Sequence, residues 1–264
     1  MANIALRAAR RAGDVLAQGY EQLDSLKAHE KNLSDRVGAI RASAERAIMS
    51  VLQKTYPEHG VVGPVSGHTP GRGEGEEYLW MVEALSGEEN FIRGEPAFAV
   101  SIACQRRGRI EHAVIVEPVS RAEFVASRGY GASLNNKRIR VSHCVRLNDA
   151  LLGVRIPVGQ TTSTLKYREI FQQLTGRIGA LRSCGNGLLN LAYVAAGRYD
   201  GCWDYGLSEQ DLAVGGLLVL EAGGLTGDFS GDNRCMGKGE AVCGSPKIFR
   251  QIVTHIRSSL TQSA

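Results

Sequence analysis

Residues 80–91 read Trp-Met-Val-Glu-Ala-Leu-Ser-Gly-Glu-Glu-Asn-Phe, and no other stretch of the chain constrains its fold as tightly. The segment opens a span, residues 78–140, whose pattern is that of strands. Residues 98–104, 110–117 and 123–126 are β-rich runs separated by Gly, Pro and charged turns. Two segments with apolar positions at helical spacing come first, residues 3–23 and 34–56, and Pro57 ends the second. After residue 151 the reading is mixed. Strands are predicted near 151–154 and 201–205, and helices near 163–174, 187–196, 209–222 and 246–260. Alternating layers of helix and sheet are expected, an α/β (α+β layered) class. The Gly-rich residues 66–75 carry no apolar periodicity and read as a mobile surface loop.

Residues 80–91 also resemble the signature of the inositol monophosphatase family, W-x-x-D-P-x-D-G-T-x-N-F, in which a strand ends in two aspartates that hold Mg2+ ions. On that pattern Glu83 stands for the first aspartate, Ala84 for the proline and Ser86 for the second aspartate. Glu88 takes the place of the threonine that helps position the attacking water, and Leu85 that of a backbone ligand. The family's G-E-E-S/G element, source of a bridging glutamate, matches Val61-Val62-Gly63-Pro64-Val65-Ser66-Gly67. Neither Pro64 nor Val65 ligates a hard cation through its side chain. The pattern D-x-V-T-x-x-D matches Asp35-Arg36-Val37-Gly38-Ala39-Ile40-Arg41, so glycine replaces the threonine and arginine the second aspartate. The distal W-D-x-A-A/V-G motif matches Gln210-Asp211-Leu212-Ala213-Val214-Gly215 and keeps its carboxylate.

Mg2+ demands a near-octahedral shell of oxygens and sheds its waters reluctantly, so carboxylates and substrate phosphate normally hold it together. A two-metal hydrolase needs both ions a few Å apart. Losing the glutamate and one aspartate, and gaining Arg41, disfavours two bound cations. A single residual Mg2+ between Glu83 and Asp211 stays compatible with the sequence, since one or two carboxylates plus substrate suffice.

The resemblance runs over nearly the whole chain. Residues 96–103, 129–135, 191–198 and 221–224 match the family's P-x-F-A-V-S-I-A, G-x-G-A-x-L-N, L-A-Y-V-A-A-G-R and E-A-G-G segments in order. It implies one inositol monophosphatase-like domain, an αβαβα sandwich, with an N-terminal half of about residues 1–145 and a C-terminal half of about 146–264. It also implies substrate contacts at Gly87, Gly185, Asn186 and Asp204. For residues 185–187 the plainer reading is a helix N-terminal turn, since any helix start offers free N–H groups to an anion. Within the family, residues 3–10 and 206–209 read like the bacterial SuhB group. That group includes Mg2+-dependent inositol phosphate phosphatases, and at least some members act as Nus factors with NusA and RNA polymerase in ribosomal RNA antitermination.

Two classes of function follow. One is a catalytically impaired scaffold for an rRNA transcription complex with NusA and RNA polymerase, needing no cofactor. The other is a phosphomonoesterase acting on inositol 1-phosphate or a related ester through a single weak Mg2+, with Glu88 or Glu89 replacing a lost carboxylate or serving as general base, Glu88 being the one at the threonine position. Arg36 and Arg41 also suit a small phosphorylated ligand held without metal. The resemblance makes a homodimer the expected assembly.

At +4, the formal net charge is a weak argument for nucleic acid, so distribution matters more. Arg7, Arg10 and Arg11 share one face of the first helix, a candidate partner-binding face whose plain alternative is solvation. Lys137, Arg138, Arg140 and Arg146 form a second basic cluster. Neither has interleaved aromatics, so base stacking is not indicated at them. No apolar run of about 18 residues and no leader-type h-region is present, and a cytoplasmic location is expected. The six cysteines, at 104, 144, 184, 202, 235 and 243, form no C-x-x-C pair and are expected to be free buried thiols. His59, His68 and His112 lack metal-ligand spacing.

Overall fold

The computed structural model describes residues 1–23, 33–156, 162–232 and 239–262. The chain divides into two compact units, Met1–Lys137 and Arg138–Ala264.

The first unit begins with α1 (Ala2–Glu21) and α2 (Leu33–Thr55). α1 buries Ala5, Ala8, Ala9, Ala12 and Leu16 and exposes Arg7, Arg10 and Arg11, as the helical spacing requires. Its buried face is mostly small, which lets α2 come close: a Cβ on Gly19 would stand 3.0 Å from Ile40. Leu16, Ile48 and Leu52 fill the shared core, each stabilising by roughly 1.5–3 kcal/mol. Truncating Leu16 to alanine would cost about 2–5 kcal/mol.

The sheet of this unit comprises β1 (Gly60–Gly63), β2 (Gly67–Thr69), β3 (Tyr78–Ser86), β4 (Ala99–Arg106), β5 (Arg109–Glu117), β6 (Ala122–Ser127), β7 (Gly131–Leu134) and β8 (Lys137–Arg138). Its order is β2-β1-β3-β4-β5-β6-β7-β8. β1 runs parallel to β3, while β3 to β7 form an antiparallel meander. A short helix, α3 (Glu88–Arg93), leaves β3 through Gly87, whose φ of 89° suits glycine. Tyr20, Phe91 and Phe98 pack ring against ring beneath it, and the Tyr20 hydroxyl donates to the Gly94 carbonyl.

Residues 66–75 depart from the expected loop. Three of them form β2, paired antiparallel with β1, and Gly75 is buried against the Glu58 backbone. Pairing there rests on backbone groups, and Gly75 leaves no room for a side chain, so apolar periodicity carried no trace of it.

The second unit holds β9 (Leu151–Arg155), α4 (Thr162–Thr175), β10 (Ala180–Arg182), α5 (Gly187–Ala195), β11 (Gly201–Tyr205), α6 (Glu209–Glu221), β12 (Leu225–Gly227), β13 (Glu240–Gly244) and α7 (Pro246–Gln262). Strand order is β10-β9-β11-β13-β12, parallel across β10, β9 and β11 and antiparallel from there on. Tyr167, Ile170 and Leu174 of α4 and Ile248, Ile252 and Ile256 of α7 pack with Leu152, Val154, Trp203 and Val242 of the strands. α5 and α6 lie close because position 215 is glycine: a Cβ there would stand 2.4 Å from Leu191. Cys104, Cys202 and Cys243 are buried thiols as expected, but Cys144 and Cys184 are half-buried, and Cys235 lies outside the described residues.

Candidate functional site

β3 carries Glu83 to the point where its pairing with β4 slips, between Glu83 and Ser86. α2 presents Arg41 to it. Arg41 Nη2 donates to Glu83 Oε1 and Oε2 at 2.9 and 3.0 Å, and Nη1 donates to Glu88 Oε2 at 3.3 Å. The Leu85 amide also donates to Glu83 Oε1, at 3.1 Å. One guanidinium therefore joins α2, β3 and the first residue of α3. All three side chains keep some solvent access, 25% for Arg41, 20% for Glu83 and 36% for Glu88, so screening is appreciable. Together the bonds are worth about 1–3 kcal/mol.

One turn along α2 from Arg41 lies Glu45, which the family patterns do not flag. Its side chain is wholly buried. The carboxylate accepts from the amide of Ser66 at 2.6 Å and from that of Val65 at 3.1 and 3.2 Å. These amides follow Pro64, at the position where the resemblance places a bridging glutamate. Glu45 thus turns its charge toward the backbone of that loop, and a Cβ on Gly63 would stand 2.7 Å from its Oε1. Nothing in the sequence singles it out, because its partners are backbone amides.

In the second unit the matched residues keep a polar interior. Asp204 is wholly buried, accepting from Asn190 Nδ2 at 3.0 Å and from the Arg155 amide at 2.5 Å. Burial pushes its carboxyl up to about 7 against these bonds, which favour the charge. Asn186 caps α5, its Oδ1 accepting from the Leu189 amide at 3.3 Å. Gly185 adopts φ 74°, and a Cβ on Gly187 would meet Leu207 and Asp204. Asp211 closes a capping box on α6: Ser208 Oγ accepts from the Asp211 amide at 3.0 Å, and Asp211 Oδ2 accepts from the Ser208 amide at 3.4 Å. Burial raises the Asp211 carboxyl too.

The structure therefore joins Arg41, Glu83 and Glu88 within one unit, and Asn190 and Asp204 within the other. Glu83 and Asp211 belong to different units. Within each unit, among the described residues, no three His, Cys, Asp or Glu side chains gather in a group suited to a metal ion. Of the helical arginines, Arg10 grips Glu123 with two bonds of 2.6 and 2.7 Å, and Arg7 donates to Thr55 at 3.4 Å. A cleft of about 560 Å³ beside Arg10, lined also by Asp14, Tyr20, Val116 and Arg121, shares no residue with the Arg41 cluster. His59 stacks between Tyr56 and Tyr78 and accepts from Trp80 Nε1 at 3.0 Å, and His112 bonds Ser127 at 2.9 Å. Among the described residues no helix is long and apolar enough to cross a membrane.

The sequence pattern of the inositol monophosphatase family matches residues 1–261, and the chain belongs to that family. It is 47% identical to the Nus factor SuhB of Pseudomonas aeruginosa, over 100% of this chain and 98% of that protein. It is 38% identical to the Nus factor SuhB of Escherichia coli strain K12, again over 100% and 98%. Among solved structures, the extragenic suppressor protein SuhB of Bartonella henselae superposes with a TM-score of 0.85 at 32% identity, covering 97% of this chain and 98% of that one. The inositol monophosphatase of Anabaena (Nostoc) sp. PCC 7120 gives 0.82 at 28% identity, covering 97% and 95%.

Proposed function

We propose that this member of the inositol monophosphatase family is a catalytically impaired, SuhB-like binding scaffold. Its role is Nus-factor-like, in ribosomal RNA antitermination with NusA and RNA polymerase, and its working form is a cytoplasmic homodimer. One observation carries the impairment: the Arg41 guanidinium occupies both oxygens of Glu83 and reaches Glu88. A hard divalent cation needs those oxygens unpaired and the local charge negative. With Pro64 at the bridging position and Ser86 at the second aspartate, the residues present do not fit a two-metal centre. Glu88, engaged by Arg41, is poorly placed to act as a base.

Asp211 does not weigh against this reading. Its carboxylate has work in the capping box of α6, which explains its presence without a metal. The name Nus factor SuhB on relatives matched over their whole length supports the binding role. So does a first helix that presents Arg7 and Arg11 to solvent. No cofactor is required.

The test pairs Mg2+ calorimetry and inositol 1-phosphate hydrolysis with capture of NusA and RNA polymerase by the full chain. The expected result is no binding heat, no turnover and retained capture. Turnover that disappears in Glu83→Gln or Asp211→Asn would overturn the proposal.

A further inference from the structure

Two turns of the first unit meet at one end of its sheet. The β4–β5 connection is a tight hairpin in which Arg106 pairs with Arg109, and its central residues Arg107 and Gly108 take φ of 49° and 79°. The β6–β7 connection is Arg128-Gly129-Tyr130, with Gly129 and Gly131 at φ 78° and 91°. β5 lies between β4 and β6, and the Arg128 amide and Nε donate to the carbonyls of Glu111 and Ile110 at the start of β5. The pairing therefore places both turns side by side.

What they display is unusual for this surface. Tyr130 is 87% exposed, the most exposed large apolar side chain among the described residues. The two turns also carry Arg106, Arg107 and Arg109, with side chains 48%, 76% and 66% exposed, and Arg128. Two carboxylates pair with three of these four guanidiniums: Glu77 with Arg106 and Arg107, and Glu111 with Arg109. Glu76 is exposed next to Glu77. Exposed pairs of this kind are weak and exchange readily for phosphate. Arg106 also lies over the Tyr78 ring, 5.3 Å from its centroid, so cations and rings already interleave here.

We propose that this end of the sheet is a contact surface for single-stranded nucleic acid, with Tyr130 stacking on a base and the arginine turn following the phosphates. A ring held clear of its neighbours by two flanking glycines offers a face to any base, and planar guanidiniums suit the backbone. A protein-docking centre would want an apolar ring around the tyrosine to exclude water. Among the described residues, the other exposed large apolar residues of this unit, Val65 and Val119, sit in turns at the opposite end, beyond β1 and between β5 and β6. The proposal rests on this unit alone and is independent of the metal question and of NusA.

The experiment is fluorescence anisotropy of the full chain with labelled oligonucleotides of about ten residues, RNA and DNA of one sequence, and an RNA duplex of the same length. At roughly 50 mM salt, wild type is expected to bind single strands more tightly than the duplex. Tyr130→Ala should weaken binding about tenfold, and Tyr130→Phe should restore it. Arg107→Ala with Arg109→Ala should lower the slope of log affinity against log salt by about 1.4. Unchanged melting curves show that these exposed variants fold. RNA binding that the variants weaken, with or without DNA binding, supports the proposal. It is overturned by absence of binding, by binding indifferent to both sets of variants, or by Tyr130→Ala losing NusA capture while wild type binds no oligonucleotide.

Discussion

The Arg41–Glu83 cluster of the first unit and the capped helix starts of the second differ in what their residues do for the fold. Around Glu83, where the sequence departs from the pattern it resembles at Pro64, Ser86 and Arg41, bonds from Arg41 and from Glu45 hold the local structure. In the second unit the matched residues also hold the backbone: Asn186 caps α5, Asp211 caps α6, and Asp204 ties Arg155 to Asn190. Persistence of a motif residue therefore says little about chemistry until its structural work is subtracted.

Three measurements test that contrast. The largest effect belongs to Asp204. Its carboxyl is raised to about 7 in the folded protein against about 3.9 in an unfolded chain, so the folded state binds more protons between those values. Stability should be fullest below about pH 4 as far as this group decides it, and should fall by on the order of 4 kcal/mol as pH rises to 7. Denaturant titrations across that range, on wild type and Asp204→Asn, should show the slope flattened in the variant. A slope left unchanged would remove Asp204 from the interior role assigned to it.

Next comes Arg41→Ala, expected to cost about 1–3 kcal/mol in denaturant titration and to leave Glu83 and Glu88 unpaired by Arg41. If the guanidinium is what opposes a cation at this cluster, the variant should also gain measurable heat with Mg2+ in calorimetry. Loss of stability without that gain would confine Arg41 to a structural part. The smallest effect is Asp211→Ala, which opens the capping box and should lower stability by about 1 kcal/mol. A loss that grows with added Mg2+ would break the comparison by showing metal dependence at a residue read as a cap.

Much of this was legible in the sequence. Amphipathic periodicity marks α1, α2 and the long strands because one face of each is buried, and the motif order carries the family. β2, β10 and β12 went unread because three residues are too few to display a period. At the site, the departures from the resembled pattern are plain in the sequence, but the bond from Arg41 to Glu83 spans 42 positions and depends on how α2 lies over β3. Glu45 escaped notice because its partners are amides, which no residue type announces. The pairing of β5 with β6 brings Tyr130 to the arginine turn, so a search for aromatics among sequence-local basic clusters passes over it.

The Arg41–Glu83 bond has one more consequence, for how the protein meets its surroundings. A positive charge tethered to the chain is present at a fixed effective concentration, whereas a bound ion is only as constant as its supply. The Arg41–Glu83 pair itself cannot be extracted by a chelator or diluted when free divalent ions run low. A partner that docks on surfaces near α2, β3 or α3 would meet the same geometry in magnesium-rich and magnesium-poor conditions alike.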